Sequence, residues 1–323
     1  MARKPDVDAS ALEAVVRRAF GASATVSCRR TPDGVSTQVY RLVRRSETFY
    51  LRVAEEADDN LETDAELHRR LHALGVRVPR VVFVEPFDAA LGRSVLITTE
   101  VAGAPLAETA CPDADARVVV EEAGEDLAVV NGVAVDGFGW VRRRGSGWPV
   151  RAEHASYPPF LTSDLPTDWP GPLDSLFSSH VLDAIEAMLD HERARPPAMG
   201  RLAHGDLDAT AIFCSGGRYS GLIDFGEIRG AEPLFDLGHF ELHDQERVPG
   251  GLLPALLRGY RRVTALPPDH QRSIRRSAVL LGLRQLCRWL GPPRVHRLDH
   301  PAVARRAARI RQLTVPCSTR GSG

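Results

Sequence analysis

The chain has almost no lysine. Every basic residue except Lys4 is arginine, so an internal position that requires a fixed cation has to use a guanidinium. It also lacks an excess of either charge. A formal net charge of −1 leaves no basic footprint for nucleic acid and no polyacidic tail. No apolar run is long enough to span a bilayer, and the start MARKPDVDAS holds no stretch of signal-peptide length. The cysteines (Cys28, Cys111, Cys214, Cys287 and Cys317) are odd in number, scattered and without a C-x-x-C pair, which argues against a disulfide framework or a structural zinc. These absences predict a reduced, cytoplasmic protein with no membrane or nucleic-acid partner. They leave its oligomeric state open. Its 323 residues suffice for a large core and predict two lobes.

What is present divides by texture. Ser10-Ala11-Leu12-Glu13 reads as a capping box opening a helix with Leu12, Val15, Val16 and Ala19 on one face. From about residue 25 to 54 the segments TVSCRR, QVYRLVRR and TFYLRVA are short, β-rich and separated by turn residues, a meander of antiparallel strands. A helix with Leu67, Leu71 and Leu74 follows and stops at Gly75, then two further strands, RVVFVEP and SVLITTEV. Beyond Gly103-Ala104-Pro105 the pattern turns helical, with Val119, Ala123, Leu127 and Val130 on one face and Val181, Ile185 and Leu189 on another. Between them, residues 137–175 are rich in Pro, Gly and Trp and have no clear period, which in a compact domain marks a functional or mobile segment. AIFC and YSGLIDF form a hairpin across Ser215-Gly216-Gly217, and helices return at 252–263, 271–290 and 301–313. The tail CSTRGSG reads as disordered.

The chemistry concentrates around that hairpin. His204-Gly205-Asp206 stands just before it and Asp224-Phe225-Gly226 just after, so closing the hairpin should aim Asp206 and Asp224 into one space. Paired carboxylates there suit phosphoryl transfer, one orienting or deprotonating an attacking hydroxyl and the other holding Mg²⁺ against phosphates. The alternation His204-x-Asp206-x-Asp208 alone would equally suit a hydrolytic metal cluster, because alternate residues of an extended segment share a face. The flanking hairpin favours phosphoryl transfer and leaves His204 as a brace for the loop. His239 and His243 lie one helical turn apart but lack the H-E-x-x-H arrangement, so packing or a substrate-facing pair fits them better than zinc. Arg142-Arg143-Arg144 reads as soluble surface, with contact to an anionic ligand as the lesser alternative. Trp140, Trp148, Tyr157, Phe160 and Trp169 either stack on a ligand ring or pack locally.

HGDLDATAIF followed by LIDFGEIRGAEPLFDLGHF resembles the aminoglycoside phosphotransferase family, a branch of the protein-kinase-like fold. The family signature is His-Gly-Asp, four residues, Asn, then Ile-Asp-Phe/Trp and a downstream Asp-Leu. The resemblance extends over roughly residues 25–245. GVSTQVY is similar to the nucleotide loop, FYLRV to the strand bearing the phosphate-contacting cation, DAELHRRLHALGVRVPRV to the helix and strand supplying its carboxylate partner, and LITTEVAGAPL to the hinge. It implies an α+β, two-lobed fold, with a small antiparallel N-lobe over residues 1–101, a mostly helical C-lobe over 102–316 and a tail at 317–323. Carried over, Asp206 is the catalytic base and Asp224 the magnesium ligand. Arg52 contacts the α/β-phosphates with Asp64 as its partner, or Glu62 or Glu66 if the helix register differs. Ser36 and Thr37 approach the terminal phosphates, the Thr99 carbonyl and Val101 amide bond the base, and Asp236 stabilises the loop.

One position departs from the family. Its second metal ligand, the Asn, falls at Ala211, whose methyl group cannot coordinate Mg²⁺. Asp208 or the Thr210 hydroxyl is the expected replacement ligand, water a second solution, and loss of turnover a third. The resemblance implies transfer of the γ-phosphate of ATP or GTP, with Mg²⁺, to a hydroxyl of a small molecule. The leading acceptor is an aminoglycoside or related sugar-containing antibiotic, in resistance or self-protection. A nucleotide-binding regulator without turnover, or a kinase of another antibiotic class or of a metabolite, is the alternative. Acidic residues at Glu227, Glu232, Glu241, Asp244 and Glu246 are the expected lining for a cationic acceptor, with Glu227, Glu241 and Asp244 foremost.

Overall fold

Strands of alternating polarity, each closed by turn residues, build the first lobe. In the computed structural model, which describes residues 5–31, 38–143, 148–196, 199–291 and 295–314, a helix α1 (Ala9–Phe20) precedes β1 (Ser27–Arg30), β2 (Gln38–Arg44) and β3 (Glu47–Val53). Helix α2 (Glu62–Ala73) and strands β4 (Val81–Asp88) and β5 (Arg93–Thr99) complete the lobe. The sheet is antiparallel with the order β1-β2-β3-β5-β4. Leu42, Leu51, Val53, Val95 and Ile97 pack beneath Leu12, Val15 and Val16 of α1. The cap of α1 is Asp8, not the expected box at Ser10: its Oδ1 accepts from the Ala11 amide at 2.9 Å, and the helix begins two residues earlier. Aspartate is as good a cap as serine, so the first carboxylate to reach an open amide sets the start.

After β5 the chain crosses to β6 (Ala104–Pro105) and the long helix α3 (Asp113–Gly132). There follow β7 (Ala134–Val135), β8 (Phe138–Val141), β9 (Ala152–His154), α4 (Tyr157–Thr162) and α5 (Ser179–Arg193). Next come β10 (Gly200–Ala203), β11 (Ile212–Ser215), β12 (Arg218–Leu222) and β13 (Arg229–Ala231). Helices α6 (Phe235–His243), α7 (Leu253–Val263), α8 (His270–Leu290) and α9 (Pro301–Thr314) end the described chain. Five strands pair in the order β7-β10-β13-β8-β9, and the hairpin β11/β12 gains β6 as a third strand. The segment around the aperiodic stretch therefore contributes three strands to the sheet that carries the catalytic loop. Each is four residues or fewer, too short for a visible period of two.

Two cores hold this lobe. Val119, Ala123 and Leu127 of α3 pack with Leu256 and Tyr260 of α7, and Leu67 and Leu71 of α2 join the same cluster, so the lobes share apolar contacts. Helices α4, α5, α8 and α9 close around Leu161, Ile185, Leu189, Leu283 and Ile310. Each fully buried aliphatic side chain there is worth about 2 kcal/mol. No helix among the described residues is long and apolar enough to cross a membrane. The tail expected at 317–323 lies outside the described residues.

Candidate active site

The loop His204-Gly205-Asp206 is held by a buried carboxylate. Asp236, in the first turn of α6, accepts from the amides of His204 (2.8 Å) and Gly205 (2.9 Å) and from Nδ2 of Asn131 (2.8 Å). His204 is buried, its Nε2 donates to the Ile223 carbonyl at 2.7 Å, and its ring lies 4.7 Å from that of Phe225. His204 thus ties the loop before the hairpin to the loop after it. Gly205 makes the approach possible. Its φ is +92°, and a Cβ there would stand 1.9 Å from the Glu227 carbonyl oxygen. The glycine between His and Asp is the residue that lets the two loops touch.

Asp206 and Asp224 consequently line one cleft of about 910 Å³, together with Arg52, Arg143, Trp140, Glu153 and Glu227. Asp206 Oδ1 lies 3.3 Å from Nε2 of His239, whose Nδ1 lies 3.0 Å from the Leu207 carbonyl. With an acceptor at each ring nitrogen, His239 can satisfy both only as the imidazolium. Burial opposes that charge, but Asp206 and the Leu207 carbonyl outweigh it and raise the His239 pKa. In return, although burial works against its ionisation, the contact with His239 and the fields of His204 and His243 bring Asp206 down to about 2. Asp224 follows β12 with φ 63° and ψ 53°, a left-handed conformation rare outside glycine, and its side chain stands exposed in the cleft.

The structure does not bring the expected replacement ligand, Asp208, to the cleft. Asp208 Oδ1 accepts from the amide of Thr210 at 2.7 Å and from the Thr210 hydroxyl, and Asp208 faces a separate hollow beside Phe240 and His243. A carboxylate followed two residues on by a threonine closes on its own backbone before it can reach across a cleft. Ala211 is buried in the core. Among the described residues no group of three or more His, Cys, Asp or Glu could hold a metal ion. A single carboxylate at Asp224 nevertheless fits Mg²⁺, which takes the rest of its shell from phosphate oxygens and water.

At the rear of the cleft Asp64, fully buried on the first turn of α2, pairs with Arg52 of β3. Glu66 instead pairs with Arg70 at 2.6 Å, and Glu62 lies on the same first turn without joining the Arg52 pair. A second guanidinium joins Asp64. Arg143 donates from Nε at 2.8 Å and from Nη2 at 3.2 Å, and its Nη2 also meets the Gly226 carbonyl at 2.8 Å. Burial penalises the Asp64 charge, but Arg52 and Arg143 together keep its pKa lowered. Arg143 is therefore not soluble surface. Thr99 ends β5, with its Oγ1 accepting from the Arg80 amide at 3.0 Å, and Val101 stands in the crossing between lobes. Ser36 and Thr37 lie outside the described residues.

Of the acids expected to line an acceptor, only Glu227 reaches the cleft. Burial raises its pKa, as do Asp206 and Asp224, against the opposing charge of Arg229. Glu241 and Asp244 do not line this cleft. Glu241 pairs with Arg309 of α9 at 3.1 Å, and Asp244 accepts from the amides of Leu252 (2.9 Å) and Leu253 (3.2 Å) at the start of α7. On α6, residue 241 is rotated about 200° from His239, which faces Asp206, so it points away from the cleft. Glu153 and Trp140 line the cleft beside Glu227. Sequence reading passes over Glu153 because it sits on β9, inside the aperiodic segment. Tyr157, Phe160 and Trp169 pack internally, and Trp148 lies under Arg70 at 4.1 Å.

The profile of the phosphotransferase enzyme family matches residues 27–272. Among solved structures, a thermostable mutant of aminoglycoside phosphotransferase APH(4)-Ia in ternary complex with AMP-PNP and hygromycin B superposes with a TM-score of 0.67. It is 17% identical, and the match covers 94% of this chain and 98% of that one. The amicoumacin kinase hAmiN, in complex with AMP-PNP, Ca²⁺ and Ami, gives 0.61 at 14% identity, covering 93% of each chain. At these identities the likeness is one of fold, and no protein of curated function matches by sequence. The fold is the two-lobed, protein-kinase-like arrangement, and the matched span includes Arg52, Thr99, Val101, Asp206 and Asp224: the chain belongs to the phosphotransferase enzyme family.

Proposed function

We propose that the protein transfers the γ-phosphoryl group of ATP or GTP to a hydroxyl of a small molecule, most fittingly an aminoglycoside or related sugar-containing antibiotic. The reading is carried by one observation: Asp206 and Asp224 border a single cleft whose rear wall is cationic. Asp206 would accept a hydrogen bond from the acceptor hydroxyl and turn its oxygen in line with the leaving phosphate. At about 2, its pKa makes it a weak base, which suits a loose transition state that needs orientation before proton removal. Asp224 would hold Mg²⁺, which when bound neutralises phosphate charge. Arg52 would contact phosphate oxygens, with the Thr99 carbonyl and Val101 amide on the base and Ser36 and Thr37 near the terminal phosphates.

The acceptor side is acidic and carries a ring. Glu227, Glu153 and Trp140 line the cleft and suit a cationic amino-sugar by charge and by stacking. APH(4)-Ia with hygromycin B supports the antibiotic class by fold alone. A cytoplasmic setting suits the four free cysteines among the described residues. The test is Mg²⁺-dependent release of ADP or GDP across a panel of aminoglycosides, other antibiotics and hydroxylated metabolites. Turnover on an amino-sugar is the expected result. Saturable nucleotide binding without turnover on any acceptor would identify a regulator instead.

A further inference from the structure

The loop after Asp206 offers the cleft no second metal ligand, since Asp208 is tied to Thr210 and residue 211 is a buried methyl. A bound triphosphate would then carry more negative charge than one Mg²⁺ at Asp224 covers. We propose that Arg143 is a second phosphate-binding cation, a fixed guanidinium that takes up this remaining charge. The inference rests on the nucleotide reading above.

Four observations support it. Arg143 lines the same cleft as Arg52, Asp206 and Asp224. It is already fixed in place: its backbone carbonyl accepts from the Asn60 amide of the N-lobe at 2.8 Å, while its Nη2 donates to the Gly226 carbonyl two residues beyond Asp224. A cation held from both lobes loses little further freedom when an anion arrives. The two guanidiniums share one contact carboxylate, Asp64, while Asp59 and Glu227 act on Arg143 through their fields and, with Asp64, hold it charged. Finally, Nε of Arg52 is shut off from solvent and has no hydrogen-bond partner among the described residues. Two guanidiniums sharing one carboxylate at the edge of the cleft form a cationic pair, and guanidinium is the group that binds phosphate oxygens in pairs.

The experiment is equilibrium binding of adenosine, AMP, ADP and ATP, and of the guanosine series, to the full chain. It compares the wild type with Arg143→Gln and Arg143→Ala, in Mg²⁺ and in EDTA, with thermal melting to confirm that each variant is folded. The expected result is a loss that grows with phosphate number, with the nucleoside bound within about twofold of wild type and the triphosphate weakened about tenfold or more. The deficit should be largest in EDTA. Equal losses for nucleoside and triphosphate, or an unchanged triphosphate affinity in both variants, would overturn the inference and leave the nucleotide reading standing. A wild-type chain that binds neither triphosphate would overturn both.

Discussion

Two segments build the cleft, and they differ in how their residues find one another. The hairpin with its flanking loops, residues 204–226, brings Asp206 and Asp224 together through contacts of short range: two strands, a tight turn, a glycine and a histidine brace. The segment 134–154 delivers Trp140, Arg143 and Glu153 to the same cleft through partners far along the chain, Asp64 being 79 residues from Arg143. The first segment carries reaction chemistry in its local pattern. The second carries charge and shape whose meaning depends on what packs against it.

The comparison is broken most sharply at the hairpin. Asp206→Ala should lower turnover by about a thousandfold while leaving nucleotide affinity within a few fold, as separate rate and binding measurements would tell. A mutant of near wild-type rate would remove Asp206 from the chemistry. Gly205→Ala should cost about 3 kcal/mol or more in chemical denaturation, because a methyl group cannot share space with the Glu227 carbonyl at a positive φ. On the second segment's side of the cleft, Glu227→Gln should raise KM for a cationic acceptor about tenfold with kcat little changed, since a pairing charge is lost from ground and transition state alike. Glu241→Gln and Asp244→Asn should leave that KM alone. A KM effect at either would return the acceptor to the far face of α6.

The smallest expected effect concerns pH. His239 has a pKa raised above its unfolded value, so its pairing with Asp206 stabilises the fold fully below about 6.5 and the gain disappears as pH rises through the folded value. The stability difference between wild type and His239→Asn should therefore be greatest in mild acid and shrink in alkali, as denaturant titrations at several pH values would measure. Asp206, lowered to about 2, contributes in the opposite sense: its share is present above the unfolded carboxylate pKa and is lost only as pH falls through about 2. An acid limb of activity near pH 6 would have to come from another group.

Much of the molecule was legible from residues alone, and the misses have physical causes. The strand β3 and the long helix α3 match their patterns because each buries one face, whereas β1 is mostly exposed. The catalytic loop was legible because His-Gly-Asp before a hairpin admits few backbone solutions. The partner of Arg52 is Asp64, found in the expected register of α2. The second cation on that carboxylate, Arg143, was hidden within a run of three arginines that reads as solvated surface. Glu241 and Asp244 went astray because acidic composition says nothing of which way a short, almost wholly buried helix is rotated.

Periodicity, turn chemistry and close spacing were enough to set the main strands, the long helices and the pair of aspartates across the hairpin, and the resemblance of the motifs around that hairpin pointed to the family. The electrostatics of the cleft came from packing in three dimensions alone: which arginine is buried against Asp64, which acid faces the acceptor side, and that His239 rather than Asp208 attends Asp206. Charge interactions depend on distance and burial in space, and neither is written in separation along the chain.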